Sequence, residues 1–297
     1  MKYLDQMAAE RVESKKERLS QAVVDRHTKS KLQRDLQLNF TYSSMRVEGV
    51  PLTFGEIVAL MGGGLELANA SLRDQMLVVN HANAFRFLGR VRNRPLSVED
   101  MLELHGALLW GVAGDAGSLR FQDPSAVEKI GAALKALQAA EGYHVLEKAA
   151  LIQAFLHRVR PFNYGVGPTS RLMAKWLLDN HGYPLGLYLS DRDVRLYRRA
   201  AERAGQGEVY PLANLMAVLV ERTLDRILGV VERLGLETVD SYMEQKGLSF
   251  DQVFNRIKRG ELKAYRSGDQ IYVREAEALG GVEPFEPVAL TWGSQGG

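Results

Sequence analysis

Cysteine is absent from the 297 residues, which excludes a disulfide framework and every thiolate metal site. Excess charge is also missing. Lys and Arg number 38 against 36 Asp and Glu, for a net charge of +2, so any nucleic-acid contact must come from a local patch. Long apolar runs are lacking: the longest, around Leu215 to Val220, falls far short of the roughly 20 residues a bilayer span needs. The six His show no ligand spacing, so no metal site is expected from them. The chain opens on the polar Met1-Lys2-Tyr3-Leu4-Asp5 without an apolar leader. These absences make the expected molecule soluble and cytoplasmic, with no membrane partner.

What is present is an ordinary globular composition, 46% hydrophobic and 25% charged, with length for one large domain and a small one. Residues 1–37 alternate charges around Leu4, Met7, Val12, Leu19 and Val23, which suits an amphipathic helix or helix pair. Ser44 to Gly49 reads as a short helical turn with a glycine stop. Thr53 and Glu56 form a capping box that starts a helix ended by Gly62-Gly63-Gly64, and Ser97 with Asp100 forms another. Further helices are expected over Ser71–Leu88, Val127–Leu137, Val145–Val159, Tyr188–Ala204 and Tyr210–Val231.

The densest signal is the stretch from Phe155 to Pro184. Pro161 closes the helix ahead of it by biasing Arg160 away from helical geometry. Gly165 and Gly167 then carry no Cβ, Pro168 suits a first helical position, and Leu172, Leu177 and Leu178 take up helical spacing. A loop that feeds a helix N-terminus presents backbone N–H groups and a positive dipole end, which would suit a phosphate. The same Gly-x-Gly also serves as plain turn chemistry.

Arg160-Pro161-Phe162-Asn163-Tyr164-Gly165-Val166-Gly167-Pro168-Thr169-Ser170-Arg171 resembles the Fic signature His-Pro-Phe-x-Asp/Glu-Gly-Asn-Gly-Arg-x-x-Arg. Leu104-His105 and Gly117-Ser118-Leu119-Arg120 are similar to two further landmarks of that family. The resemblance covers roughly residues 38–230. It implies a mainly α chain with a Fic-type helical core, and in active members the transfer of AMP from ATP to a protein hydroxyl. It further implies that Ser44-Met45-Arg46-Val47-Glu48-Gly49 is the inhibitory motif, with Glu48 pairing with Arg171, and that Gly165, Gly167, Thr169 and Arg171 are a vestigial nucleotide site.

The departures fall on the chemistry. Arg160 stands where the family has its general-base His, Tyr164 where it has the metal-binding acid, Val166 where it has Asn, and Pro168 where it has a phosphate-binding Arg. A guanidinium stays protonated and cannot accept a proton, and a phenol is a poor ligand for a hard cation. Only Phe121 to Ala126 separates Arg120 from the next expected helix, so the resemblance leaves about ten residues of target-docking hairpin unaccounted for. No catalytic residue, metal or cofactor is therefore expected; ATP and Mg²⁺ enter only if the chain is an active transferase. Such an altered site would have Tyr164, Thr169 or Ser170 to work with.

Beyond residue 235 the character changes. Val239–Lys246, the turn Gly247-Leu248-Ser249 and Phe250–Arg259 have helix-turn-helix spacing, with Phe250, Val253, Phe254 and Ile257 on one face. Lys263 to Val273 then alternates around Gly268 as a hairpin would. This resembles an excisionase or MerR-type winged helix-turn-helix. Burial of the apolar face turns Gln252, Asn255, Arg256 and Arg259 outward to read bases, while Lys258, Lys263 and Arg266 would meet phosphates. The expected divisions are 1–60, N-terminal helices with the inhibitory turn; 61–231, the Fic-like core; 236–280, the winged module; and 281–297, a flexible tail. The leading expectation is a catalytically degenerate, DNA-binding regulatory protein, with a homodimer as one arrangement. An active nucleotidyl or phosphoryl transferase and a scaffold for a protein partner are the alternatives.

Overall fold

The computed structural model describes residues 2–63, 67–91, 93–121, 123, 125–231, 237–267, 270–275 and 287–289. Among them the chain is mainly helical: α1 (Gln6–Ser20), α2 (Arg26–Glu48), α3 (Phe54–Met61), α4 (Leu72–Arg90), α5 (Val98–Leu109), α6 (Ser125–Ala139), α7 (Val145–Val159), α8 (Val166–Asn180), α9 (Asp191–Gly205), α10 (Tyr210–Val231), α11 (Val239–Lys246) and α12 (Phe250–Lys258). Five short strands complete it: β1 (Val23–Asp25), β2 (Glu237–Thr238), β3 (Leu262–Ser267), β4 (Gln270–Glu275) and β5 (Pro287–Ala289). No helix among the described residues is long and apolar enough to cross a membrane.

The chain forms two compact units, one from residues 1–13 and 35–223 and the other from 14–34 and 224–291. Residues 35–60 thus share a unit with the helices that follow them, whereas the expected division ran between 60 and 61. The helix ends follow local chemistry. Thr53 with Glu56 and Ser97 with Asp100 form the expected capping boxes, each satisfying N–H groups that a first turn leaves open.

In the larger unit α7 packs between α8 and α9, and α4 lies against α5 and α8. The middle of α8 is buried all round, from Pro168 to Leu178. A helix that passes through a core has no solvated face for its polar residues, so most of them find internal partners, Thr169 Oγ1 being left without one. Lys175 does so by pairing with Asp179 at 2.9 Å and lying over the Phe40 and Phe85 rings. Trp176 Nε1 donates to the Val91 carbonyl at 3.0 Å.

Two expectations change here. The turn at Ser44 to Gly49 is the end of the 23-residue α2, stopped by Gly49 at φ 86°. The helix expected from Tyr188 starts only at Asp191, capped by Ser190 and Asp193. Residues before it are not helical, Leu187 standing in the left-handed region at φ 48°, and their polar groups are held elsewhere: the Gly186 N–H by Thr223 Oγ1 at 3.1 Å and the Tyr188 hydroxyl by Asp35 at 2.6 Å.

In the smaller unit β1 pairs with β5, and β2, β4 and β3 form an antiparallel sheet beside α11 and α12. Val239, Tyr242, Val253, Leu262 and Val273 form its core. The hairpin turn at Gly268 and Asp269, and all of 281–297 except 287–289, lie outside the described residues.

Candidate functional site

The site is organised at the N-terminus of α8. Arg160 ends α7 in the left-handed region at φ 46°, donating its N–H to Leu156 at 2.8 Å, and its side chain is exposed. Gly165 is the N-cap of α8 at φ 72°, with no side-chain cap bond. The helix therefore begins at Val166, two residues before the expected Pro168. Pro168 stays within the first turn, where a missing N–H costs no helical hydrogen bond.

His105 holds this loop in shape. Its ring stacks on Phe162 at 3.6 Å between centroids. Nδ1 accepts from the Gly117 N–H at 3.0 Å, which leaves the proton on Nε2 to be donated to the Tyr164 carbonyl at 3.0 Å. Burial pushes its pKa down against smaller upward pulls from that carbonyl and Asp115, so the ring is neutral. A Cβ at Gly165 would come within 3.1 Å of Leu109 and 3.4 Å of the His105 ring; that close approach, besides the positive φ, calls for glycine. Arg120 braces the same loop from outside, its backbone N–H on the Pro161 carbonyl at 2.9 Å, and Asn163 donates to Asp115 at 2.7 Å. The Asn163 contact had no signature in the sequence.

Glu48 and Arg171 meet. The Arg171 side chain, 2% exposed, donates to Glu48 Oε1 at 2.7 Å, to Ser44 Oγ at 2.9 Å and to the Ser44 carbonyl at 3.2 Å, and faces the Tyr197 ring. The same Glu48 oxygen lies 2.5 Å from where a Cβ on Gly167 would stand. The carboxylate thus rests on the first turn of α8, where the helix dipole favours an anion. His81 is fully buried, and burial plus the charge of Arg171 push its pKa down to about 3, so the ring adds no second positive charge near Arg171. A buried arginine with one carboxylate and one hydroxyl as partners is costly to disturb from either side. Arg171→Met keeps the length of the side chain but leaves Glu48 and Ser44 without their donor. Since Glu48 is 35% exposed and water can take up part of the lost pairing, we expect a loss of about 1–3 kcal/mol in urea unfolding; no measurable change would contradict the geometry.

Other expected site residues fall elsewhere. Thr169 is fully buried and Ser170 donates inward to the Gly167 carbonyl at 2.8 Å. Neither hydroxyl faces a ligand at the helix end, because the fourth and fifth residues of α8 already turn into the core; Thr169 is thereby removed from the nucleotide set. The phenol of Tyr164 is 60% exposed. Among the described residues no group of three or more His, Asp or Glu side chains could hold a metal.

The smaller unit corrects the expected orientation of α12. Phe250 and Phe254, expected inside, are 55% and 45% exposed and stack on each other; Val253 and Ile257 fill the inner side instead. Arg256 is not an outward base reader: it donates to the Tyr242 hydroxyl at 2.6 Å, Glu275 at 3.0 Å and Glu261 at 3.1 Å. Tyr242 is buried and itself donates to Glu275, so Arg256 ties α12 to α11 and β4. Gln252 caps its own helix by accepting from the Ser249 N–H at 2.7 Å. Asn255 is exposed, Arg259 pairs with Glu261 at 2.9 Å, and Lys258 lies over Phe254. The side chains of Lys263 and Arg266 lie outside the described residues.

No protein-family profile matches the chain. It is similar to protein adenylyltransferase fic-1 of Caenorhabditis briggsae, 23% identical over 68% of this chain and 43% of that protein. It is also similar to protein adenylyltransferase Fic of Aedes aegypti, 22% identical over 79% of this chain and 50% of that one. The chain thus spans about half the length of the curated relatives it matches. Among solved structures, Fic-1 (residues 134–508) from Caenorhabditis elegans superposes with a TM-score of 0.68 at 22% identity, over 76% of this chain and 71% of that one. A Fic family protein from Desulfovibrio desulfuricans superposes with a TM-score of 0.63 at 16% identity, over 93% of this chain and 96% of that one. The fold is that of the Fic proteins.

Proposed function

We propose that this chain is a Fic-like protein whose anion site at α8 persists under a carboxylate cover while its transfer chemistry has been lost. The carrying observation is the Glu48 carboxylate clamped by Arg171 against Gly167, beside an exposed arginine, Arg160, that ends α7. A nucleotide phosphate fits that first turn once Glu48 swings away. A hard divalent cation does not fit it, since Tyr164 offers a phenol in place of a carboxylate. Without a proton acceptor or a metal-holding acid, little remains to drive phosphoryl transfer, which depends on positioned charge.

The regulatory part of the reading is DNA binding by the smaller unit. Support comes from the order α11, turn, α12 and hairpin, and from Asn255 and Arg259 on the exposed side of α12. Arg259→Ala should weaken binding to DNA in a salt-dependent gel shift by about 1–3 kcal/mol, with little change in thermal midpoint. Arg256→Ala should instead lower the midpoint of the smaller unit, since it strips Tyr242 and two glutamates of a shared donor. Absence of binding to any genomic fragment at low salt would remove the DNA reading. The exposed Phe250 and Phe254 favour the scaffold alternative, which one stoichiometric co-purifying protein would support. Active adenylyl transfer is the second reading, favoured by the names of the relatives.

A further inference from the structure

The turn that carries Glu48 also lines a cavity of 380 Å³ whose walls include Arg46, Gly49, Asp191, Arg195 and Arg198. Three guanidiniums meet one carboxylate there, and that carboxylate, on Asp191, is already paired with Arg46. Arg198 donates from Nε to the Val47 carbonyl at 2.5 Å and from Nη2 to the Arg46 carbonyl at 2.7 Å. Those carbonyls close the end of α2 but neutralise no charge, and the Nη1 of Arg198 is not used by them. Arg195 is exposed and has no hydrogen bond or ion pair among the described residues. Two cationic forks therefore stand over one opening without a paired carboxylate among the described residues, a donor arrangement that matches tetrahedral phosphate oxygens.

We infer that this cavity binds a phosphate dianion, free or as a small phosphomonoester, and that the bound anion ties α9 to the last turn of α2. Arg195 and Arg198 belong to α9, and Arg46 stands two residues before Glu48 in α2. An anion bridging them keeps the existing Arg198 cap in place and restrains the turn whose carboxylate covers Gly167. The ligand thus acts as a lock on the cover, not as a competitor for the site beneath it. This rests on the reading of Glu48 as a cover, and the two are tested apart.

The test is titration calorimetry of the full chain with inorganic phosphate, and separately with glycerol 3-phosphate, against chloride at equal ionic strength. Arg195→Ala should weaken binding by about tenfold or more, while Arg199→Ala, exposed on the same helix but outside the cavity lining, should change it by less than about twofold. The tighter of the two ligands identifies the source. With ligand bound, hydrogen exchange at the amides of Val47, Glu48 and Gly49 should slow in the natural chain and stay unchanged in Arg195→Ala. Absence of heat in the natural chain, or equal loss in both variants, overturns the site. Binding with unaltered exchange overturns the lock. Failure of Glu48→Gly to bind a triphosphate would count against the cover and leave these results standing.

Discussion

Glu48→Gly should lower the thermal midpoint of the free protein, and added tripolyphosphate or ATP should raise it again. In the natural chain Glu48 supplies the only carboxylate that Arg171 touches among the described residues. Removing it leaves a guanidinium that is 2% exposed without a counter-charge. Complete burial of the pair would make that loss about 3–5 kcal/mol, but Glu48 itself is 35% exposed, so about 1–3 kcal/mol is the reasonable range after solvent screening. The vacated first turn of α8 then offers Arg171, a helix dipole and the open face of Gly167 to a phosphate.

A ligand at 100 times its Kd returns about 2.7 kcal/mol by mass action, which is comparable to the loss. The natural chain should give no measurable heat with ATP and Mg²⁺ at micromolar concentrations. Glu48→Gln, which removes the charge but keeps the bulk against Gly167, should be destabilised and respond to tripolyphosphate no more than the natural chain does. Thermal unfolding of the three proteins with and without tripolyphosphate makes the comparison. A Glu48→Gly midpoint that tripolyphosphate fails to move would mean that the cradle no longer binds phosphate; a natural chain that binds ATP at micromolar levels would mean that Glu48 is no barrier.

The second large effect concerns transfer itself. Glu48→Gly alone should leave labelled adenylyl transfer at background, with Mg²⁺ or with Mn²⁺, because uncovering the phosphate position supplies neither a base nor a metal ligand. Adding Arg160→His and Tyr164→Asp to that background should raise transfer by about 10² or more, the contribution expected of a positioned base. The backbone favours the first exchange. Arg160 sits at φ 46°, a left-handed conformation that histidine enters more readily than most residues. Transfer well above background by Glu48→Gly with Arg160 and Tyr164 unchanged would end the degenerate reading and favour the active transferase named among its relatives.

Much of the architecture was legible because its signals are local. The helices 145–159 and 210–231 came out with the ends expected of them, and so did α11 at 239–246. Their signals lie within a few residues: apolar spacing in all three, Pro161 after the first and Gly247 after the last. The pairing of Glu48 with Arg171 was reachable only through the family resemblance, since 123 residues separate the two and nothing in either segment alone points to the other. Misreadings came where distant groups override local pattern. Tyr188 is kept out of a helix by Asp35. Arg256, an unremarkable surface arginine by helical spacing, is drawn inward by Tyr242 and Glu275.

Composition and periodicity by themselves determined a mainly helical chain and the glycine-bearing turn ahead of α8, because residue chemistry and short-range sterics require no partner. Only the tertiary structure decided that Thr169 points into the core, that Glu48 lies on Gly167, and that Phe250 and Phe254 face outward. A side chain on a helix is offered to one side by its spacing, but whether that side meets protein or water depends on which other elements pack there, and those elements come from remote parts of the chain.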